Sequence, residues 1–415
     1  MTPPSGEPAL PGDDAFQLQF TQSHEPKLPR PKNIVLCCDG TANQFSPDRT
    51  NVVKLHYMLQ LDDPGQIAFY HPGLGTMEAP AALTPAARMV TRVLGLALGY
   101  GLSNDIRNAY TFLMNNYEDG DRVYLFGFSR GAYTARCVCS LLAMYGLIRP
   151  GNDPLVPYAV RMMIAINKGR EKLKQSTDRD GEYRKAVDQY FQLAKDFKTM
   201  MSRAECCPYF VGVWDTVSSV GWISNPLKLP YTADNPAIQV GRHAISIDER
   251  RAFFRSNLWK PSPELPEHGP KDEKQVWFAG VHSDVGGGYP EAESGLAKIA
   301  LEWMLQEAKI FGLRVHADRE AEVLGRSPGT RYAPPDPDGC MHESLKGAWK
   351  FVECIPKAHY DYTTHETTTR ANHGRRRTLP DGALIHQSVF QREKGAYARG
   401  IKLPSQHTIV STPIL

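Results

Sequence analysis

The chain has 415 residues, 41% of them hydrophobic and 22% charged, a balance that supports a packed core and excludes a disordered chain. The formal net charge of +3 is too near zero to argue for a nucleic-acid partner or an anionic membrane surface. The eight cysteines include two adjacent pairs and one Cys-x-Cys, which is not the spacing of a zinc knuckle; free, buried thiols in a reducing compartment are expected.

In chain order, residues 1–31 are rich in Pro and acidic residues and lack the apolar run of a secretory signal, so a flexible leader is expected. Lys32 to Thr41 is an apolar run ending in a polar turn, the pattern of a buried parallel strand. Asn51 to Leu61 has a helical apolar face, and Gln66 to Tyr70 is a second strand. Met77 to Leu102 alternates small and apolar residues. It is expected to pack on the core, with peripheral membrane contact as the alternative. Met89 to Leu102 is short for a membrane span and contains Arg92 and three glycines, so a soluble, cytoplasmic protein is expected. Gly101 to Tyr117 predicts a helix, Val123 to Phe128 a strand, and Ser129 to Leu147 a long buried helix.

From about 150 to 207 the composition turns basic and helical without a strand, which predicts a helical insertion. Strands are expected at Phe210 to Val217, Gln275 to Asp284 and Ala383 to Val389, with a helix at Ser294 to Phe311. Ala317 to Gly382 is polar and poorly patterned, and 393–415 reads as a tail. Strands alternating with helices predict an α/β fold, a mostly parallel sheet covered on both faces, over residues 32–392.

Gly127-Phe128-Ser129-Arg130-Gly131 joins a strand to a helix. A serine on so tight a turn exposes its hydroxyl beside a helix N-terminus, as a nucleophile elbow does. Such a serine needs a histidine to take its proton and a carboxylate to orient that histidine. In the order Ser, acid, His, the strand ends offer Ser129, Asp284 and His386. The elbow strand is expected to be followed by the Asp215 strand and then the Asp284 strand, and an acid two strands after the nucleophile selects Asp284 over its competitor Asp215. His282, two residues before Asp284, breaks that order and is read with Asp39 and Asp215 as surrounding the site. The oxyanion donors are expected to be the N–H of Arg130 and Thr41, the latter supplied by the Asp39-Gly40-Thr41 turn. An alternative is a metal-dependent hydrolase that gathers Asp39, Asp215 and Asp284 at one sheet edge.

Ile34 to Thr41, Gly73-Leu74-Gly75-Thr76, Gly127 to Tyr133, Val213-Trp214-Asp215-Thr216-Val217, His282 to Tyr289 and His386-Gln387-Ser388-Val389 occur in that order. Together they resemble the α/β-hydrolase domain of type VI secretion phospholipase effectors, shared by many bacterial and fungal proteins. The resemblance implies an α/β-hydrolase fold, a Ser129–Asp284–His386 triad and hydrolysis of a lipid acyl ester through an acyl-enzyme, without a cofactor or metal. A catalytically silent binding module of the same fold is the rival from another class.

Overall fold

The computed structural model describes residues 31–40, 48–73, 101–173, 181–203, 206–217, 221–222, 225–226, 229–259, 269–347, 349–360 and 367–414. The expected leader, apart from Pro31, lies outside them, as do Thr41 and most of Met77 to Leu102.

Eight strands form one sheet: β1 (Asn33–Cys38), β2 (Gln66–His71), β3 (Arg122–Phe128), β4 (Pro208–Trp214), β5 (Val240–Ser246), β6 (Asp272–Phe278), β7 (Ala383–His386) and β8 (His407–Val410). Their order across the sheet is β8-β7-β6-β5-β4-β3-β1-β2, and every neighbouring pair is parallel. A parallel sheet is stable only with both faces covered. Accordingly, side chains alternate between two core layers: Val123 and Leu125 of β3 enter one, Tyr124, Phe126 and Phe128 the other.

The first layer is covered by four helices, α2 (Leu102–Asn116), α3 (Arg130–Tyr145), α4 (Leu155–Leu173) and α5 (Gly181–Met201). Helices α4 and α5 are the expected insertion. The second layer is covered by α1 (Asn51–Met58) and the later helix α7 (Gly295–Ile310), which follows the short α6 (His282–Gly286). Helix α1 starts at Thr50, whose hydroxyl accepts the Val53 N–H at 3.3 Å. Nearly all of α3 is buried, as its apolar length predicted.

Two strands depart from the sequence reading. Strand β5 reads Val-Gly-Arg-His-Ala-Ile-Ser, and its charged residues conceal a fully buried strand. Arg242 is kept inside by Glu307 at 2.6 Å and Asp272 at 2.9 Å, and His243 Nε2 accepts the Thr216 N–H at 3.2 Å. Strand β8 adds a parallel edge where a tail was expected. The cysteines also differ. Five of the eight are buried, but Cys207 is half-buried, and Cys340 and Cys354 are exposed; all are free thiols. Among the described residues, no helix is long and apolar enough to cross a membrane.

Candidate active site

Strand β3 ends at Phe128, and the chain turns at Ser129 directly into α3. Ser129 has φ of 58°, a conformation that side-chain-bearing residues rarely adopt. The flanking glycines allow it. A Cβ on Gly131 would lie 2.1 Å from the Cys38 carbonyl oxygen, and one on Gly127 would lie 2.6 Å from that of Gly131. The Ser129 N–H donates to the Trp214 carbonyl at 3.1 Å, tying the turn to the end of β4. Because Phe128 pairs with Trp214, Ser129 and Asp215 are the next residues on two neighbouring strands. Asp215 also has positive φ, 38°, and its N–H donates to the Ala244 carbonyl at 2.7 Å.

His282 follows β6 and opens α6. Its Nδ1 lies 2.5 Å from Asp215 Oδ2. The ring is held between Phe128, at 4.6 Å between centroids, and Phe254, at 4.7 Å. Its backbone N–H donates to Glu249 Oε2 at 3.2 Å. The other ring nitrogen, Nε2, is buried and has no hydrogen-bond partner among the described residues. Burial lowers the His282 pKa and Asp215 opposes that; the balance is below the ordinary imidazole value.

Asp215 is fully buried. Its Oδ1 accepts from the Ser246 N–H at 3.0 Å and from Arg377 Nη1 at 2.5 Å; Arg377 Nη2 reaches Oδ2 at 3.1 Å. Burial alone would raise the carboxyl's pKa, but Arg377 and His282 outweigh it and hold the group well below the carboxylate range. Asp215 is therefore an anion that accepts the proton of Nδ1, which leaves Nε2 as the basic nitrogen.

The remaining expected residues fall elsewhere. Asp284 is buried, but its Oδ1 meets His342 Nδ1 at 2.6 Å and its Oδ2 accepts the His342 N–H at 3.1 Å. The expected join to His386 is absent. His386 ends β7, its nitrogens contact the hydroxyls of Ser388 at 2.9 Å and Thr412 at 3.1 Å, and its ring stacks on Phe278. Burial brings the His386 pKa down to about 4. The cause of the mismatch is β5. It lies between β4 and β6, so Asp284 follows the third strand after the elbow rather than the second, and His386 stands four strands from β3.

Asp39 accepts from the Thr50 hydroxyl at 2.7 Å, the Tyr70 hydroxyl at 2.9 Å and the Gly40 N–H at 2.7 Å. Among the described residues, Asp39, Asp215 and Asp284 do not gather as metal ligands. The Arg130 N–H lies in the first turn of α3, where N–H groups have no intrahelical acceptor. The Arg130 side chain is turned to the Gly73 carbonyl at 3.1 Å.

Arg377 and Glu249 were not legible as site residues. Arg377 ends a run of three arginines in the unpatterned segment, with nothing to separate it from its neighbours. Glu249 closes Ser246-Ile247-Asp248-Glu249, charges directly after an apolar run, which is the signal of a strand end. Both face a cavity whose walls also include Arg250, Arg255, Arg375 and Arg376. The side chains of Arg255 and Arg375 make no hydrogen bond or ion pair among the described residues, and Arg255 Nε is buried without a partner.

Comparison with known proteins places this geometry in context. A family model described as the type VI secretion system phospholipase effector Tle1-like catalytic domain matches residues 32–307. The Saccharomyces cerevisiae protein YEL023C, itself uncharacterized, is 34% identical over 244 residues, covering 57% of this chain and 34% of the yeast protein. The chain thus spans about a third of the length of that curated relative. A crystal structure of an uncharacterized Pseudomonas aeruginosa protein is similar at 21% identity and a TM-score of 0.39, over 70% of this chain and 47% of that one. The Tle1 effector bound to the VgrG spike of the type VI secretion system is similar at 16% identity and a TM-score of 0.28, over 64% of this chain and 52% of that one.

Proposed function

The chain belongs to the family of Tle1-like phospholipase effector catalytic domains, and from this premise we propose that it is a serine hydrolase cleaving the acyl ester of a phospholipid. Ser129 is the nucleophile, His282 the general base and Asp215 the acid that orients it. The observation that carries this reading is the buried His282: Nδ1 is fixed by Asp215 while Nε2 has no partner among the described residues. A base must keep one nitrogen free for the nucleophile's proton, and His386, with both nitrogens at hydroxyls, does not.

In the reaction, Ser129 Oγ attacks the ester carbonyl while His282 Nε2 takes its proton. The imidazolium is stabilised by Asp215, and the proton passes to the leaving alkoxide as the acyl-enzyme forms. Water then repeats the sequence and releases the fatty acid. The Arg130 N–H supplies one oxyanion donor, and Thr41, which follows β1 in the sequence, is the expected source of the second. No cofactor enters these steps.

The phosphate-bearing class of lipid is favoured by the arginines beside the Asp215–Arg377 pair, which suit an anionic ester better than a neutral glyceride.

The test compares single variants on a chromogenic acyl ester and on phosphatidylcholine vesicles. Ser129→Ala and His282→Ala should each lower kcat by at least about 10³-fold. His386→Ala should keep turnover within a few-fold. Loss of activity in His386→Ala with retention in His282→Ala would return the base to β7. If a fluorophosphonate probe fails to label Ser129 in the native protein, the fold serves as a binding module.

A further inference from the structure

The geometry points to a transition-metal site of Zn²⁺ type at Glu293, Cys340 and His342, on the outer side of Asp284. One donor atom from each of the three side chains, Glu293 Oε2, Cys340 Sγ and His342 Nε2, lies within 4.8 Å of the others. His342 Nε2 is 2.8 Å from Glu293 Oε2 and 4.0 Å from Cys340 Sγ. Zinc bonds of about 2.0–2.3 Å put tetrahedral donors roughly 3.3–3.8 Å apart. Cys340 and Glu293 are exposed side chains, so a small rotation of each closes the difference.

What separates this cluster from a chance surface grouping is the mounting of the histidine. Asp284 is 2% exposed and binds His342 twice, through Nδ1 and through the backbone N–H. The Tyr289 ring stacks on the imidazole at 3.6 Å between centroids and 12° between planes. The ring is thus immobilised, with Nδ1 facing inward to a buried carboxylate and Nε2 facing outward to a thiol and a second carboxylate. A carboxylate behind the imidazole is the arrangement that fixes the tautomer of metal-binding histidines and raises their basicity. In the bound form the ion is held by Nε2, the Nδ1–H donates to Asp284, and Cys340 binds as the thiolate. One thiolate, one imidazole and one carboxylate select a borderline ion such as Zn²⁺ over Ca²⁺ or Mg²⁺. Three protein ligands leave a fourth position for water.

The site would act as a clamp, apart from the hydrolytic chemistry. Ser344, two residues after His342, donates to Glu249 Oε1 at 3.0 Å, and Glu249 Oε2 accepts the His282 N–H. Fastening residues 340–344 therefore steadies the carboxylate that supports the catalytic base. The inference does not depend on the hydrolase reading.

The full chain, stripped with chelator, is titrated with Co²⁺ and then with competing Zn²⁺. We expect one equivalent bound, with a near-ultraviolet thiolate-to-cobalt charge-transfer band. Cys340→Ser should abolish the band, and Glu293→Gln and His342→Gln should weaken Zn²⁺ binding at least about tenfold. Asp284→Asn should weaken it about 10- to 100-fold. Added Zn²⁺ should raise the Tm of the wild type but not of Cys340→Ser. No thiolate band in the wild type, or a band that persists in Cys340→Ser, overturns the site. Cys340 and Glu293 are exposed, so these variants remain informative even if His342→Gln does not fold.

Discussion

At the scale of single residues, the catalytic proposal turns on which histidine has a nitrogen to spare. His282 and Asp215 were visible in the sequence as polar residues at strand ends, but their pairing was not. It is made across 67 residues and secured by Arg377, which lies 162 residues beyond Asp215. Arg377 supplies the charge that keeps the fully buried Asp215 ionised. Removing one partner of a buried ion pair costs about 3–5 kcal/mol, so Arg377→Gln should lower the Tm clearly. With the Asp215 carboxylate less firmly held, the acid limb of the kcat/KM profile should also change, a readout that simple destabilisation would not move.

The pH dependence has a definite sign. The folded pKa of His282 is lowered, so the free base persists below the ordinary imidazole range, and activity should fall only as pH drops beneath it. Glu249, whose folded pKa is down to about 2, has the same sense for stability. Its contribution is complete above the ordinary glutamate value and is lost as pH falls toward 2. Urea unfolding followed from pH 7 to pH 3 should show a decreasing midpoint.

At the scale of elements, most of the sheet could be read from apolar runs: β1, β2, β3, β4, β6 and β7 all occur where they were expected. Strand β5 could not, because Arg242 and His243 belong to the interior only once Glu307, Asp272 and the Thr216 N–H have been brought to them. That omission shifted the strand count by one, so Asp284 follows the third strand after the elbow; Asp215 follows the first, and its contact with His282 rather than a strand count draws attention to it. The elbow itself was legible from its five residues; Gly127 answers to local backbone crowding by Gly131 and Ala132, while Gly131 clears the Cys38 carbonyl at the end of β1. Gly286 is constrained by a more distant partner. A Cβ there would stand 1.9 Å from the Phe128 ring, and Phe128 packs on His282. Gly286→Ala should therefore cost about 1–3 kcal/mol and depress kcat as well, because the displaced ring no longer seats the base. A thermal melt paired with ester kinetics checks both effects.

At the scale of the molecule, the parallel sheet collects the proposed chemistry at the carboxyl ends of β3, β4 and β6, as open α/β sheets do. The segment after α7 passes back over this edge and delivers Arg377, His342 and Ser344. The same passage completes the arginine-lined cavity. If that cavity receives the anionic part of the substrate, Arg255→Gln with Arg375→Gln should raise KM for a short-chain phosphatidylcholine about tenfold, each lost charge-assisted hydrogen bond being worth about 1.5–3 kcal/mol before solvent screening. A matched diacylglycerol should be unaffected. Equal changes on the two esters would sever the cavity from headgroup recognition.

The distance in sequence between Asp215 and Arg377 also bears on timing. Long-range closures form late in folding, after local helices and adjacent strands. Until Arg377 arrives, the carboxylate has no cation to match it and the imidazole has no settled partner. Refolding from urea should therefore recover far-ultraviolet circular dichroism before it recovers fluorophosphonate labelling. On the ribosome, a nascent chain would remain without the proposed activity until Arg377 had been made and brought to Asp215.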